Sequence, residues 1–278
     1  MNRIDSLFAS TRDGEALLVP YVCAGDPSVE ATCELLQAFG DMGVRLVEVG
    51  IPFSDPVGDG RTITNAARRA LRGGMTLAKT LDACAAASNA PAIVLFSYLN
   101  PIASYGIERF ANDASRSKVS GVIIADLPLD ESHEIARVFR SCGIGLTLLI
   151  APGTPLQRAI AIADASDGFV YVVSRLGVTG ASVEPDIETV KRRLTLLRSH
   201  MRRPLTVGFG VARPEHVRSL AGYADGVVVG SALVDAIARR GDTQDPVTAA
   251  QNFLQPLLTA AAVSEKEPRR IAEAPSVM

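Results

Sequence analysis

The chain has 278 residues, 47% of them hydrophobic and 21% charged, a globular composition that excludes disordered, collagen-like and coiled-coil classes. Its formal net charge of -2 and its 5% of scattered aromatics supply neither the basic field nor the stacking platforms a nucleic-acid binder needs. The length fits one large α/β barrel or two small domains.

The opening MNRIDSLFAS has one early Arg followed by an acid and no signal-peptide apolar run. No later stretch reaches the roughly 18 apolar residues of a membrane span, so the expected location is the cytoplasm, with no membrane partner. Ile4 to Ser10 reads as a short helix ahead of the main fold, placed to close its bottom. Eight short apolar runs then follow: Leu17 to Val22, Leu46 to Val49, Ala92 to Phe96, Gly121 to Ala125, Leu146 to Ile150, Phe169 to Val173, Leu205 to Val207 and Gly226 to Val229. Near-continuous hydrophobicity marks parallel strands buried on both faces, and the segments between them have helical spacing. Strand then helix, repeated around, predicts a TIM (β/α)8 barrel with an extra short helix after strand 8.

Asp26-Pro27-Ser28 supplies capping side chains for a helix from Val29 to Phe39. Pro20 is awkward inside the first run, because proline removes a ladder donor. Residues 1–264 read as a single barrel domain and 265–278, polar and proline-containing, as a disordered tail. Cys23, Cys33, Cys84 and Cys142 lie far apart, without a C-x-x-C pair or neighbouring His, and read as small core residues in a reducing compartment.

The working face of a parallel barrel lies at the carboxyl ends of its strands. Glu48 interrupts the apolar run RLVEVG there, and a desolvated carboxylate has a raised pKa suited to proton transfer; the alternative is a structural Glu in the barrel lining. The following loop, Gly50 to Gly60, holds Asp55, Asp59, two prolines and three glycines, a stiff composition for a site loop. Asp59 lies between Gly58 and Gly60, either approaching a ligand or simply making a turn. Tyr98 and Asp126 end the third and fourth runs, where they orient polar substrate atoms or cap loops.

After the seventh and eighth strands come Gly208-Phe209-Gly210 and Gly230-Ser231-Ala232, the second opening into a helix. Free amides and a helix dipole at those two turns form the recurrent barrel phosphate site, so a phosphorylated ligand is expected. The sixth strand leads into Ser174 to Ala181, long enough to act as a lid that brings Thr179 to the ligand, or to be a plain connection. Lys79, Lys118, Lys191 and Lys266 fall in helices, before a strand or in the tail, which leaves a Schiff-base or PLP mechanism without its nucleophile on this chain. His133, His200 and His216 do not gather at strand ends, so no metal site is expected. Carbon-carbon cleavage then needs a substrate that carries its own electron sink.

LVPYVCAGDP, VEVGIPFSDPVGDG, VYVVSRLGVTG and VGFG with VVGSALV strongly resemble the tryptophan synthase alpha subunit, from Leu17 to about Val234. The resemblance implies a TIM barrel that cleaves indole-3-glycerol phosphate to indole and glyceraldehyde 3-phosphate. It makes Glu48 the acid-base residue and Asp59 the second catalytic carboxylate. By the same similarity Tyr21, Tyr98 and Tyr171 line the indole end, with Thr179 near the ligand. Gly180, Gly210, Gly230 and Ser231 match phosphate-loop positions. The cofactor PLP belongs to a beta subunit, the partner expected in an alpha2beta2 complex, which faces Asp55-Pro56 and the loops after strands two and six. One departure stands out: where the family continues DGP, this chain has Gly60-Arg61-Thr62, putting a long cation beside Asp59 that either pairs with it or projects away. A stand-alone lyase releasing free indole, and a weakened barrel kept as an activating partner, are the competing readings.

Overall fold

The computed structural model describes residues 3–12, 14–174, 186–208, 210–239 and 245–262. Its strands are β1 (Leu17–Cys23), β2 (Leu46–Gly50), β3 (Ala92–Ser97), β4 (Val119–Ile124), β5 (Gly145–Thr147), β6 (Leu149–Ile150), β7 (Val170–Val173), β8 (Leu205–Gly208) and β9 (Gly226–Val229). They form one parallel sheet in the order β5-β4-β3-β2-β1-β9-β8-β7-β6. The two ends of that order, β5 and β6, are the halves of the predicted fifth run, interrupted at Leu148. β5 pairs with β4 and β6 with β7, so a single run joins both edges and the ring closes as an eight-run barrel. At the break the Leu148 amide donates to Ser166 Oγ at 3.1 Å, and its carbonyl accepts from the Tyr171 amide at 3.1 Å.

Every residue of β1, β2 and β4 is buried, as expected of strands with barrel core on one side and helices on the other. Pro20 is accommodated at a handover. It is the last β1 residue in register with β9 (Val229), and Tyr21 is the first in register with β2 (Glu48). The missing amide therefore falls where pairing passes from one neighbour to the other.

Helix α1 (Arg3–Ala9) closes the barrel floor as predicted. Ile4 is fully buried, and a Cβ on Gly121 or on Gly168 would lie 2.7 Å from its side chain, so those two glycines make room for the plug. Phe8 stacks on Phe169 at 5.6 Å between ring centres. Helix α2 (Val29–Asp41) starts at Ser28, whose Oγ accepts from the Ala31 amide. Asp26 is not part of this cap; it pairs with Arg69 on α3 (Arg61–Arg72). After β9 comes the expected short helix, Ser231–Ala238, and then Pro246–Ala261. All four cysteines are free; Cys23 and Cys84 are core residues, whereas Cys33 and Cys142 are only half-buried. The expected tail, 265–278, lies outside the described residues. Among the described residues no helix is long and apolar enough to cross a membrane.

Candidate active site

β2 carries Glu48 into the barrel, level with Tyr21 on β1 and Val94 on β3. Its flanking valines, on the opposite face of the strand, are fully buried. Glu48 is itself 1% exposed, and its Oε1 has no hydrogen-bond partner. Burial alone pushes its carboxyl pKa up to about 8. A structural Glu in a barrel lining would be satisfied by donors, because an unpaired buried acceptor costs about 1–3 kcal/mol. The bare oxygen therefore weighs against the structural alternative.

Three aromatic rings stand beside it. Tyr21 meets Phe96 edge-on at 6.1 Å, and Phe96 meets Tyr171 at 6.4 Å. Both tyrosines bring the hydroxyl end of the ring against a glycine of the next strand. A Cβ at Gly50 would sit 2.0 Å from the Tyr21 hydroxyl, and one at Gly208 would sit 2.0 Å from that of Tyr171. Only glycine permits either ring position. Burial, followed by the neighbouring carboxylates and, for Tyr21, the Cys23 thiol, raises both phenol pKa values, so the hydroxyls stay protonated.

Asp59 arrives on the loop after β2. Its amide donates to the Pro56 carbonyl at 3.0 Å, and its carbonyl accepts from Thr64 Oγ1 of α3 at 3.5 Å. Tyr98, 4% exposed, reaches over from the end of β3 and accepts from the Gly58 amide at 3.0 Å while hydrogen-bonding the Asp59 carboxylate. Burial raises the Asp59 pKa to about 6, against the lowering by Tyr98. Arg61, the first residue of α3, is exposed and takes no part in that balance. Of the two orientations open from sequence, the cation takes the outward one.

Glu48 and Asp59 share one cavity with Tyr21, Ile63, Phe96, Tyr171 and Val228. The same cavity is bounded by Gly210, Val211 and Ala212 after β8 and by Gly230, Ser231 and Ala232 after β9. Gly230 caps the Ser231–Ala238 helix with no side-chain bond, which leaves the first-turn amides available to an anion. The sequence-predicted carboxylates, Tyr21, Tyr171, Gly210, Gly230 and Ser231 are thus brought together. Tyr98 is not in the cavity wall and stands behind Asp59 instead. Asp126 Oδ1 accepts from the Leu99 amide at 2.7 Å and caps the helix Leu99–Tyr105, so of its two sequence readings the loop-capping one holds. Thr179 and Gly180 lie outside the described residues. Among those described, no group of three or more His, Cys, Asp or Glu could hold a metal.

Phe96, Ile63 and Val228 were missed from sequence. Phe96 was recoverable: two residues past Val94, the register partner of Glu48, it must share the inward face. Ile63 had no such signal, since it belongs to a helix whose apolar stripe looks like any core stripe.

The model of the family described as tryptophan synthase alpha chain matches residues 8–262. The alpha chain of Xanthomonas euvesicatoria is 41% identical over 264 residues, covering 94% of this chain and 98% of the relative. The chain belongs to the tryptophan synthase alpha chain family. Among solved structures, Mycobacterium tuberculosis tryptophan synthase superposes with a TM-score of 0.86 at 33% identity, over 95% of this chain and 99% of that one. The tryptophan synthase complex of Pyrococcus furiosus gives 0.78 at 35%, over 89% and 99%. Tryptophan synthase alpha chains cleave indole-3-glycerol phosphate and need no cofactor of their own, PLP being held by the beta chain.

Proposed function

We propose that Glu48 is the proton donor and Asp59 the cation-stabilising carboxylate for cleavage of indole-3-glycerol phosphate in this cavity. The observation that carries the assignment is that both acids open into one cavity, Glu48 with a bare buried oxygen and Asp59 held by Tyr98. At neutral pH Glu48, near 8, holds its proton, and Asp59, near 6, has lost its own.

Glu48 gives its proton to C3 of the indole, forming an indoleninium cation. The electrons of the bond between C3 and the glycerol carbon flow into that cation and regenerate a neutral indole. The adjacent hydroxyl loses its proton to the Glu48 carboxylate and becomes the aldehyde of glyceraldehyde 3-phosphate, so the acid is restored. Asp59 accepts the indole N–H and balances its growing positive charge. The aromatic trio holds the ring, and the amides at Gly210, Gly230 and Ser231 hold the phosphate.

The expected pH profile of kcat/KM is a bell, rising through about 6 as Asp59 ionises and falling through about 8 as Glu48 ionises. Tyr98→Phe removes a hydrogen bond that favours the ionised Asp59, so its acid limb moves to higher pH. A profile flat between 6 and 9, or an acid limb unmoved in Tyr98→Phe, would contradict the assignment.

The chain is further proposed to work in the cytoplasm as the alpha half of an alpha2beta2 assembly. The likeness to the tryptophan synthase complex of Pyrococcus furiosus supports it. Val57, 79% exposed in the loop that presents Asp59, offers an apolar contact for such a partner. Adding a beta chain to the purified protein is expected to raise the rate of indole-3-glycerol phosphate consumption. A high rate unchanged by mixing would indicate a stand-alone lyase.

A further inference from the structure

An ion pair between Asp26 and Arg69, outside the cavity lining, has no place in the chemistry above. Arg69 Nε and Nη2 donate to the two carboxylate oxygens of Asp26, each at 2.8 Å. The Asp26 side chain is only 4% exposed, while that of Arg69 is 43% exposed. The pair joins two segments next to the site: the loop that follows β1, the strand of Tyr21, and α3, which carries Ile63 and begins two residues after Asp59.

Asp26 is fixed from its own side. The preceding Gly25, at φ 82°, donates its amide to Thr32 Oγ1 on α2 at 2.8 Å. The Asp26 amide donates to the Cys23 carbonyl at 3.1 Å. The contact between loop and helix is also close, since a Cβ on Gly25 would lie 2.7 Å from Met75 Cβ and 3.2 Å from Ala70 Cβ. At the other end of α3, Thr64 holds both the Asp59 carbonyl through Oγ1 at 3.5 Å and the Gly60 carbonyl through its amide at 2.9 Å. A helix is stiff over roughly the 12 Å that separate its first residue from Arg69. Fixing the Arg69 end therefore fixes the Asp59 end.

We propose that Arg69 is a positioning residue for the lyase reaction, its bidentate grip on Asp26 setting α3, and with it the Asp59 carboxylate, against the β1 wall. The guanidinium fork matters as well as the charge, because two parallel bonds define an orientation that a point charge cannot. The phosphate cradle after β8 and β9 is not carried by α3. Loss of the grip is therefore expected to lower turnover more than substrate binding. The proposal rests on the role given above to Asp59.

The test compares Arg69→Met, Arg69→Lys and the double variant Asp26→Asn/Arg69→Met in the full chain, measuring kcat and KM for indole-3-glycerol phosphate beside the melting temperature. A misplacement of about 1 Å at a reacting group costs on the order of 100-fold. Arg69→Met is expected to lose at least about tenfold in kcat, with KM changed less than about threefold. Arg69→Lys, which keeps the charge without the fork, is expected to recover part of that loss. The double variant removes the unpaired buried carboxylate, so it is expected to regain melting temperature but not kcat. A folded Arg69→Met with wild-type kcat, or a double variant whose kcat returns with its stability, overturns the proposal. Asp59→Asn, run alongside, keeps the two ideas apart. If it retains activity, the Asp59 reading fails; if it loses activity while every Arg69 variant keeps it, only the positioning role fails.

Discussion

Glu48→Gln is expected to lower kcat by about 10²- to 10⁴-fold, the range that a positioned general acid contributes, with KM nearly unchanged. The amide has the shape of the acid and keeps the packing of β2, but it has no proton to give to C3. The same substitution is expected to raise stability at alkaline pH. The Glu48 carboxyl is held near 8 in the folded chain by burial, against 4.5 for an ordinary glutamate. Because the folded value lies above the unfolded one, its favourable contribution is fully present below pH 4.5 and is lost as pH rises to about 8. Over that window stability falls as pH rises, because the folded chain holds a proton that the unfolded chain has released. Glutamine does not titrate, so the variant escapes the loss. Denaturant unfolding of both proteins at pH 5 and pH 9 measures it. A variant no more stable than the parent at pH 9, or one that keeps its rate, would contradict the account of Glu48 as a desolvated acid.

These opposite effects explain how Glu48 could be found in sequence at all. An ionisable residue between buried valines is costly to the fold, and such a cost persists where chemistry uses it. The barrel was legible for a related reason. Parallel strands covered on both faces leave near-continuous apolar runs, and all eight were readable, even the fifth, whose break at Leu148 has no sequence mark because Ser166 supplies the compensating acceptor from a distant loop. Contacts that depend on register were not legible. Asp26 reads locally as a capping residue, and only the fold brings it to Arg69, forty-three positions on. Asp126 reads as a possible substrate contact until the end of β3 places the Leu99 amide against it. The resemblance places Tyr98 at the indole end, and only the fold shows its hydroxyl against Gly58 and Asp59. Side chains at strand ends cross to neighbouring loops, and the direction of that crossing is a property of the closed ring.

Asp59→Asn is expected to lose about 10²- to 10³-fold in kcat, the range for removing one pre-aligned electrostatic group from a transition state. The indole N–H of bound substrate is a neutral donor that the asparagine carbonyl can still accept, so KM should change little. The difference arises only as C3 takes its proton and charge grows on the ring, when a carboxylate counts for far more than an amide in a site closed to water. The pH profile should change in a specific way. Its acid limb near 6 belongs to Asp59 and should disappear. The alkaline limb near 8 should remain, because Glu48 is raised by burial alone and not by the charge of Asp59. Arg61→Pro, restoring the residue usual in the family, should leave both limbs in place, since the exposed Arg61 does not contribute to the Asp59 balance. An acid limb that survives in Asp59→Asn would assign that titration to another group and remove the aspartate from the mechanism. One that shifts in Arg61→Pro would mean that the cation folds back over Asp59 in the free enzyme.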